Sequence, residues 1–163
     1  MPIMYVESSA LVKRYIPEKG SDFMDELFDH RTGSLYLVTS ILSALEHKSA
    51  LTRLAKSGTI GESEMKEALA EFWRDRRLFS TIVPIDNAFL EEAGNHLERY
   101  PLRSLDALHL AAILRILDVT RRSGETLVVV GSDRELLDAC HQEGITVLNP
   151  EEDRAIDRLR ELG

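Results

Sequence analysis

Three observations predict an α/β fold built on a parallel sheet. Short apolar runs of strand length alternate along the chain with longer helical patterns. The 163 residues suit one domain, able to bury roughly two thirds of the surface that the unfolded chain exposes. A composition of 44% apolar and 29% charged residues belongs to a chain with a packed core, not a disordered one.

The elements follow in order. Ile3 to Val6 is a first strand, followed at once by a helix from about Ser9, with Ser8 and Ser9 as caps. Leu35 to Val38 is a second strand, and a long helix runs from about Ser40 to Ser57, closed by Gly58. In Glu62 to Phe79, the residues Met65, Leu69, Phe72 and Phe79 trace one stripe at helical spacing, interrupted by Arg76. That stripe packs on the domain's own core; a self-association or partner surface is the other reading. Thr81 to Ile85 is a third strand, leading into a helix from about Asn87 to Arg99 that ends before Pro101. Ser104 to Leu117 is apolar on nearly every side and forms a buried helix. Leu127 to Val130 is the most strand-like run, Asp133 to Gln142 a helix closed by Gly144, and Ile145 to Leu148 a last strand. Residues 1–149 thus form one domain, and the mixed-charge tail 150–163 is a solvated helix.

Composition narrows the function. Cys140 is the single cysteine, which excludes an internal disulfide and a cysteine-based zinc cluster and fits a reducing compartment. The five histidines show no metal-ligand spacing. MPIMYVESSALVKRY has no signal-peptide pattern, and no apolar run approaches the roughly eighteen residues that span a bilayer, so a cytoplasmic protein without membrane contact is expected. A formal net charge of −8 argues against broad non-specific nucleic-acid binding, which rests on lysines and arginines releasing counterions. It leaves room for a local site: acids gathered around divalent cations become neutral or positive once loaded.

The acids therefore carry the chemistry. Ligands of parallel α/β sheets bind beyond the carboxyl ends of the strands. Glu7 follows the first strand, Asp86 the third and Asp133 the fourth, so parallel strands bring all three to one edge. Glu46 lies mid-helix on a partly apolar face, between Leu42 and Ala50. Asp106 sits in the first turn of the most apolar helix, where the helix dipole, a basic partner or a cation shared with other acids could compensate it. Local roles compete at each position. Ser104 is a candidate N-cap above Asp106, Ser132 to Glu135 has a capping-box pattern, Asp86 is a cap, Glu7 can pair with Lys13 or Arg14, and Glu46 can be solvated. His109, one turn after Asp106, reads as a core histidine. No base is identified for a serine nucleophile.

Four segments in order, Tyr5 to Tyr15, Thr39 to Glu46, Leu102 to Ala111 and Val130 to Leu137, resemble the PIN-domain family, and within it the VapC-type ribonuclease toxins. The resemblance spans Ile3 to Asn149. It implies a three-layer α/β/α sandwich with a central parallel sheet, and a site in which Glu7, Glu46, Asp106 and Asp133 are catalytic and bind Mg²⁺ or Mn²⁺. It further implies RNA as substrate, cut to leave a 5′-phosphate and a 3′-hydroxyl, a cognate antitoxin, and a homodimer. Arg14, Arg103 and Arg134 are the candidate phosphate holders. One position departs from the family's pattern: Glu7 stands where Asp is usual, which makes a catalytically weak module that binds RNA or protein the alternative. A phosphate-handling enzyme of another type is disfavoured, because neither a GxxxxGK[ST] loop nor an Asp-x-Asp motif is present.

Overall fold

Strand β1 (Ile3–Val6) sends Met4 and Val6 into one apolar core and Tyr5 into another, the alternation expected of a strand covered on both faces. The computed structural model describes residues 1–30 and 35–162. Four further strands, β2 (Tyr36–Ser40), β3 (Thr81–Val83), β4 (Leu127–Val130) and β5 (Thr146–Leu148), pair in parallel in the order β3-β2-β1-β4-β5. The chain leaves β1 toward one edge and returns to β4 on its other side, so β1 and β4 flank the point where strand order reverses.

Helices α1 (Ser8–Leu11), α2 (Ser21–His30), α3 (Leu42–Lys56), α4 (Glu62–Asp75) and α8 (Ala155–Arg160) contribute to the core that receives Met4 and Val6. Helices α5 (Asn87–Arg99), α6 (Ser104–Ser123) and α7 (Arg134–Gln142) contribute to the core that receives Tyr5. The result is the predicted α/β/α arrangement. The Met65, Leu69, Phe72 and Phe79 stripe lies against its own core, with Phe72 and Phe79 buried.

Several boundaries differ from the sequence expectation, each for a local reason. The first helix is one turn long and tightens into a 3-10 turn over Val12–Arg14. Ser21–His30 forms a helix where none was predicted, anchored by the buried Phe23, Met24, Leu27 and Phe28. The helix beginning at Ser104 runs on to Ser123 and stops only at Gly124, whose left-handed φ of 73° a glycine adopts at little cost. The tail is not solvated: Ala155 and Leu159, one turn apart, are buried, Arg160 pairs with Glu26 of α2, and Lys13 reaches Glu151 at 2.7 Å. No helix among the described residues is long and apolar enough to cross a membrane.

Candidate metal centre

Glu7 ends β1, and its amide extends the ladder by donating to the Val130 carbonyl at 2.9 Å. Its side chain folds back over α1. Oε1 accepts from the Ser9 amide at 2.9 Å, and Oε2 accepts from the Ser9 hydroxyl. Glu7 itself is therefore the N-cap of α1, the role predicted for Ser8 and Ser9. Those serines lie one and two positions past the cap, and the Ser8 hydroxyl reaches elsewhere. Ser9 Oγ also accepts from the Ser132 amide at 2.8 Å, tying the end of β1 to the loop after β4. A Cβ at Gly131 would lie 3.3 Å from Glu7 Oε2, so glycine there leaves room for an acid one methylene longer than aspartate.

Neither basic neighbour pairs with Glu7. Lys13 is buried between Glu18 and Glu151, and Arg14 binds Asp25, approaches Asp75 at 3.7 Å and lies over the Phe28 ring. Arg14 is thus withdrawn from the role of phosphate holder, its guanidinium already committed to two acids.

Glu46, midway along α3, is not a solvated helix position. Its Oε2 accepts from Ser8 Oγ at 2.6 Å and lies 2.6 Å from His109 Nε2. The other nitrogen of His109, Nδ1, is 2.6 Å from the Tyr5 hydroxyl, and both rings are fully buried. His109 is indeed a satisfied core histidine, yet it belongs to the site. The available sequence signal was its position three residues after Asp106, which puts both on one side of α6.

Asp106 is half-buried in the first turn of α6, where the Arg103 backbone faces its carboxylate; Arg103, not Ser104, is the N-cap. Asp133 is the N-cap of α7, with Oδ1 accepting from the Leu136 amide at 3.0 Å. The predicted capping box does not form, because the Ser132 hydroxyl turns to Asn149. Asp86 caps α5 through the Phe89 amide at 3.0 Å, as expected.

One ligand-type atom each from Glu7, Glu46 and His109 lie within 4.8 Å of one another. Asp106 joins through charge: burial pushes its carboxyl up, and the charges of Asp133 and Glu46 push it further, against the pull of His109. Burial likewise raises Glu7, with Glu46 adding to it and His109 and Ser9 opposing. Burial works to raise Glu46 as well, but the His109 bond and charge, with the Ser8 hydroxyl, outweigh it and hold the group below its ordinary value. Glu7 and Asp106, raised by burial and by the charge of Glu46, carry negative charge that their surroundings do not fully offset. Hard oxygen donors in that condition suit Mg²⁺ or Mn²⁺, so the residues present fit such an ion.

The family model described as PIN domain matches residues 4–138. The chain belongs to the PIN-domain family. The matched stretch of this PIN domain contains Glu7, Glu46, Asp106 and Asp133, and stops before β5 and α8. Among curated proteins, Ribonuclease VapC45 and Ribonuclease VapC49 of two Mycobacterium tuberculosis strains are each 33% identical over 149 residues, covering 90% of this chain and 95% of theirs. Among solved structures, PAE2754 from Pyrobaculum aerophilum superposes with a TM-score of 0.62 at 22% identity, covering 97% of this chain and 95% of that one. Mycobacterium tuberculosis VapC20, a toxin that cleaves the sarcin-ricin loop, superposes with a TM-score of 0.55 at 16% identity, over 83% of this chain and 94% of that one. At these identities the two structures establish a shared PIN fold.

Proposed function

We propose that the protein is a divalent-cation-dependent endoribonuclease, the toxin of a toxin-antitoxin pair, acting in the cytoplasm. The observation that carries this reading is the gathering of carboxylates around the carboxyl ends of β1 and β4, in a chain whose curated relatives are named ribonucleases. Glu7, Glu46, Asp106 and Asp133 would hold Mg²⁺ or Mn²⁺. When bound, such a cation lowers the pKa of a water, orients it and offsets the charge that builds on the phosphate oxygens. The chain's own residues do the rest. Arg103 and Arg134, both exposed and at the N-terminal ends of α6 and α7, would hold backbone phosphates. Leu45 and Leu105 stand exposed beside Glu46, an apolar rim that favours a protein partner such as an antitoxin or a second copy.

The test is cleavage of an end-labelled RNA. Activity is expected to vanish with EDTA, to return with Mn²⁺ or Mg²⁺, and to leave 5′-phosphate ends; cleavage that persists in EDTA overturns the reading.

A second reading, a PIN module with weak catalysis, rests on the fact that both Glu7 oxygens are engaged by Ser9. Glu7→Asp separates the two. With Glu7 working as a ligand, the substitution is expected to change the cleavage rate less than about tenfold, since aspartate keeps the charge and is itself a favoured N-cap. A large gain in Mg²⁺-dependent cleavage would instead establish the weak module.

A further inference from the structure

The acids are not the only side chains that shape this site. Behind Glu46 runs a chain of hydrogen bonds through three elements. The Tyr5 phenol meets His109 Nδ1 at 2.6 Å, and His109 Nε2 meets Glu46 Oε2 at 2.6 Å. It starts on β1 at Tyr5, passes through His109 of α6 and ends on α3 at Glu46. Tyr5 and His109 are both fully buried, so water cannot replace the bond between them.

Resting on the metal-site reading above, we propose that His109 is a positioning residue that holds the Glu46 carboxylate for the cation, and is not itself a ligand. A nitrogen ligand must aim a free lone pair at the metal. Two electronegative atoms at 2.6 Å must share a hydrogen, and whichever of them owns it, the Nε2 direction is spent on Glu46. Nδ1 is spent on Tyr5 in the same way. The ring cannot swing to free either nitrogen, because it is fully buried and meets Tyr5 edge-on at 5.9 Å between centroids. On the carboxylate, Oε2 carries both the Ser8 and the His109 bonds, whereas Oε1 accepts none among the described residues. The pair of bonds therefore pins one oxygen and presents the other. Outer-shell partners of this kind orient ligands and typically change metal affinity by about 10- to 100-fold when removed.

The experiment measures Mn²⁺ affinity of the RNA-free protein by electron paramagnetic resonance of the free ion, in the wild type, Glu46→Gln, His109→Gln, His109→Asn and Tyr5→Phe. Glutamine places a donor where the ring Nε2 sits; asparagine places its amide near Nδ1 and loses the bond to Glu46. His109→Asn is expected to weaken Mn²⁺ binding about 10- to 100-fold, and His109→Gln to stay within about threefold of wild type. Bound Mn²⁺ in the wild type should show no hyperfine coupling to a directly ligated imidazole nitrogen. His109→Asn binding like wild type overturns the inference, and so does an imidazole coupling accompanied by a His109→Gln loss as large as that of His109→Asn. If His109→Asn lacks a cooperative melt, His109→Gln, Tyr5→Phe and the wild-type spectrum decide: near-native affinity of the glutamine variant, weaker binding by Tyr5→Phe and no nitrogen coupling support the proposal. Glu46→Gln separates the two levels. Unchanged Mn²⁺ binding in that variant overturns the metal-site reading itself, whereas weakened binding there with wild-type binding in His109→Asn overturns only the role of His109.

Discussion

Asp106→Asn is expected to lower RNA cleavage by at least roughly a hundredfold, the order of loss when a charge-stabilising group is removed from a reacting site, while raising the melting temperature of the metal-free protein. The two effects share a cause. Burial, Asp133 and Glu46 all make the Asp106 charge harder to carry in the folded state than in the unfolded chain. An acid whose folded pKa is raised costs stability above that pKa, and the cost vanishes once the pH falls below its ordinary carboxylate value. At neutral pH asparagine removes it. The amide also keeps the side chain's shape in the first turn of α6, so the fold is retained. Mn²⁺ at a hundred times its dissociation constant is expected to stabilise the wild type by about 2.7 kcal/mol and to leave the variant nearly unmoved. Thermal melts with and without Mn²⁺, beside a cleavage assay, check this. A variant that cleaves at the wild-type rate, or that gains the same stability from Mn²⁺, removes Asp106 from the site.

That a stabilising substitution should destroy function explains why the site was partly readable from residue types alone. A carboxylate in the first turn of a helix lined by Ala107, Leu110, Ala111 and Ile113 conflicts with its surroundings, and such conflicts mark functional positions. Strands β1 and β4 and helix α5 were equally legible, with both ends placed by apolar runs or by the Asp86 cap and Pro101. What could not be read is whatever depends on chain-distant partners. Nothing near His109 in the sequence announces Tyr5, 104 residues away, or Glu46, 63 residues away. Ser8 and Ser9 looked like caps because serine before a helix usually is one; only the fold shows that Glu7 turns back to take that place and frees the Ser8 hydroxyl for Glu46. Helix α8 reads as solvated because charged residues match its apolar ones in number, although the buried Ala155 and Leu159 suffice to seat it.

His47, next to Glu46 on α3 but turned into the other core, is expected to make the protein sensitive to acid, and His47→Leu to relieve it. The ring stacks on Phe72 at 4.5 Å, meets Tyr15 edge-on at 4.9 Å and is almost completely buried. Neither ring nitrogen has a hydrogen-bond partner of good geometry among the described residues. Burial pushes its pKa down to about 4, with the Ala68 backbone opposing only weakly. In the unfolded chain the imidazole takes its proton near pH 6.5, so between that pH and about 4 the unfolded state binds a proton that the folded state refuses. Stability is whole above pH 6.5, falls steadily as the pH drops, and levels off below about 4. At about 1.36 kcal/mol per pH unit, the gap from 6.5 to about 4 amounts to about 3 kcal/mol. Leucine fills a similar volume with nothing to protonate. Its cost at pH 7 is the lost ring stacking, about 0.5 to 1.5 kcal/mol, offset by removal of unpaired polar atoms from the core. Urea denaturation of both proteins at pH 7, 5.5 and 4 should therefore give curves that converge or cross, with the wild type losing about 3 kcal/mol more than the variant over that range. Stabilities that fall in parallel would mean that the buried imidazole already has a proton partner in the folded chain.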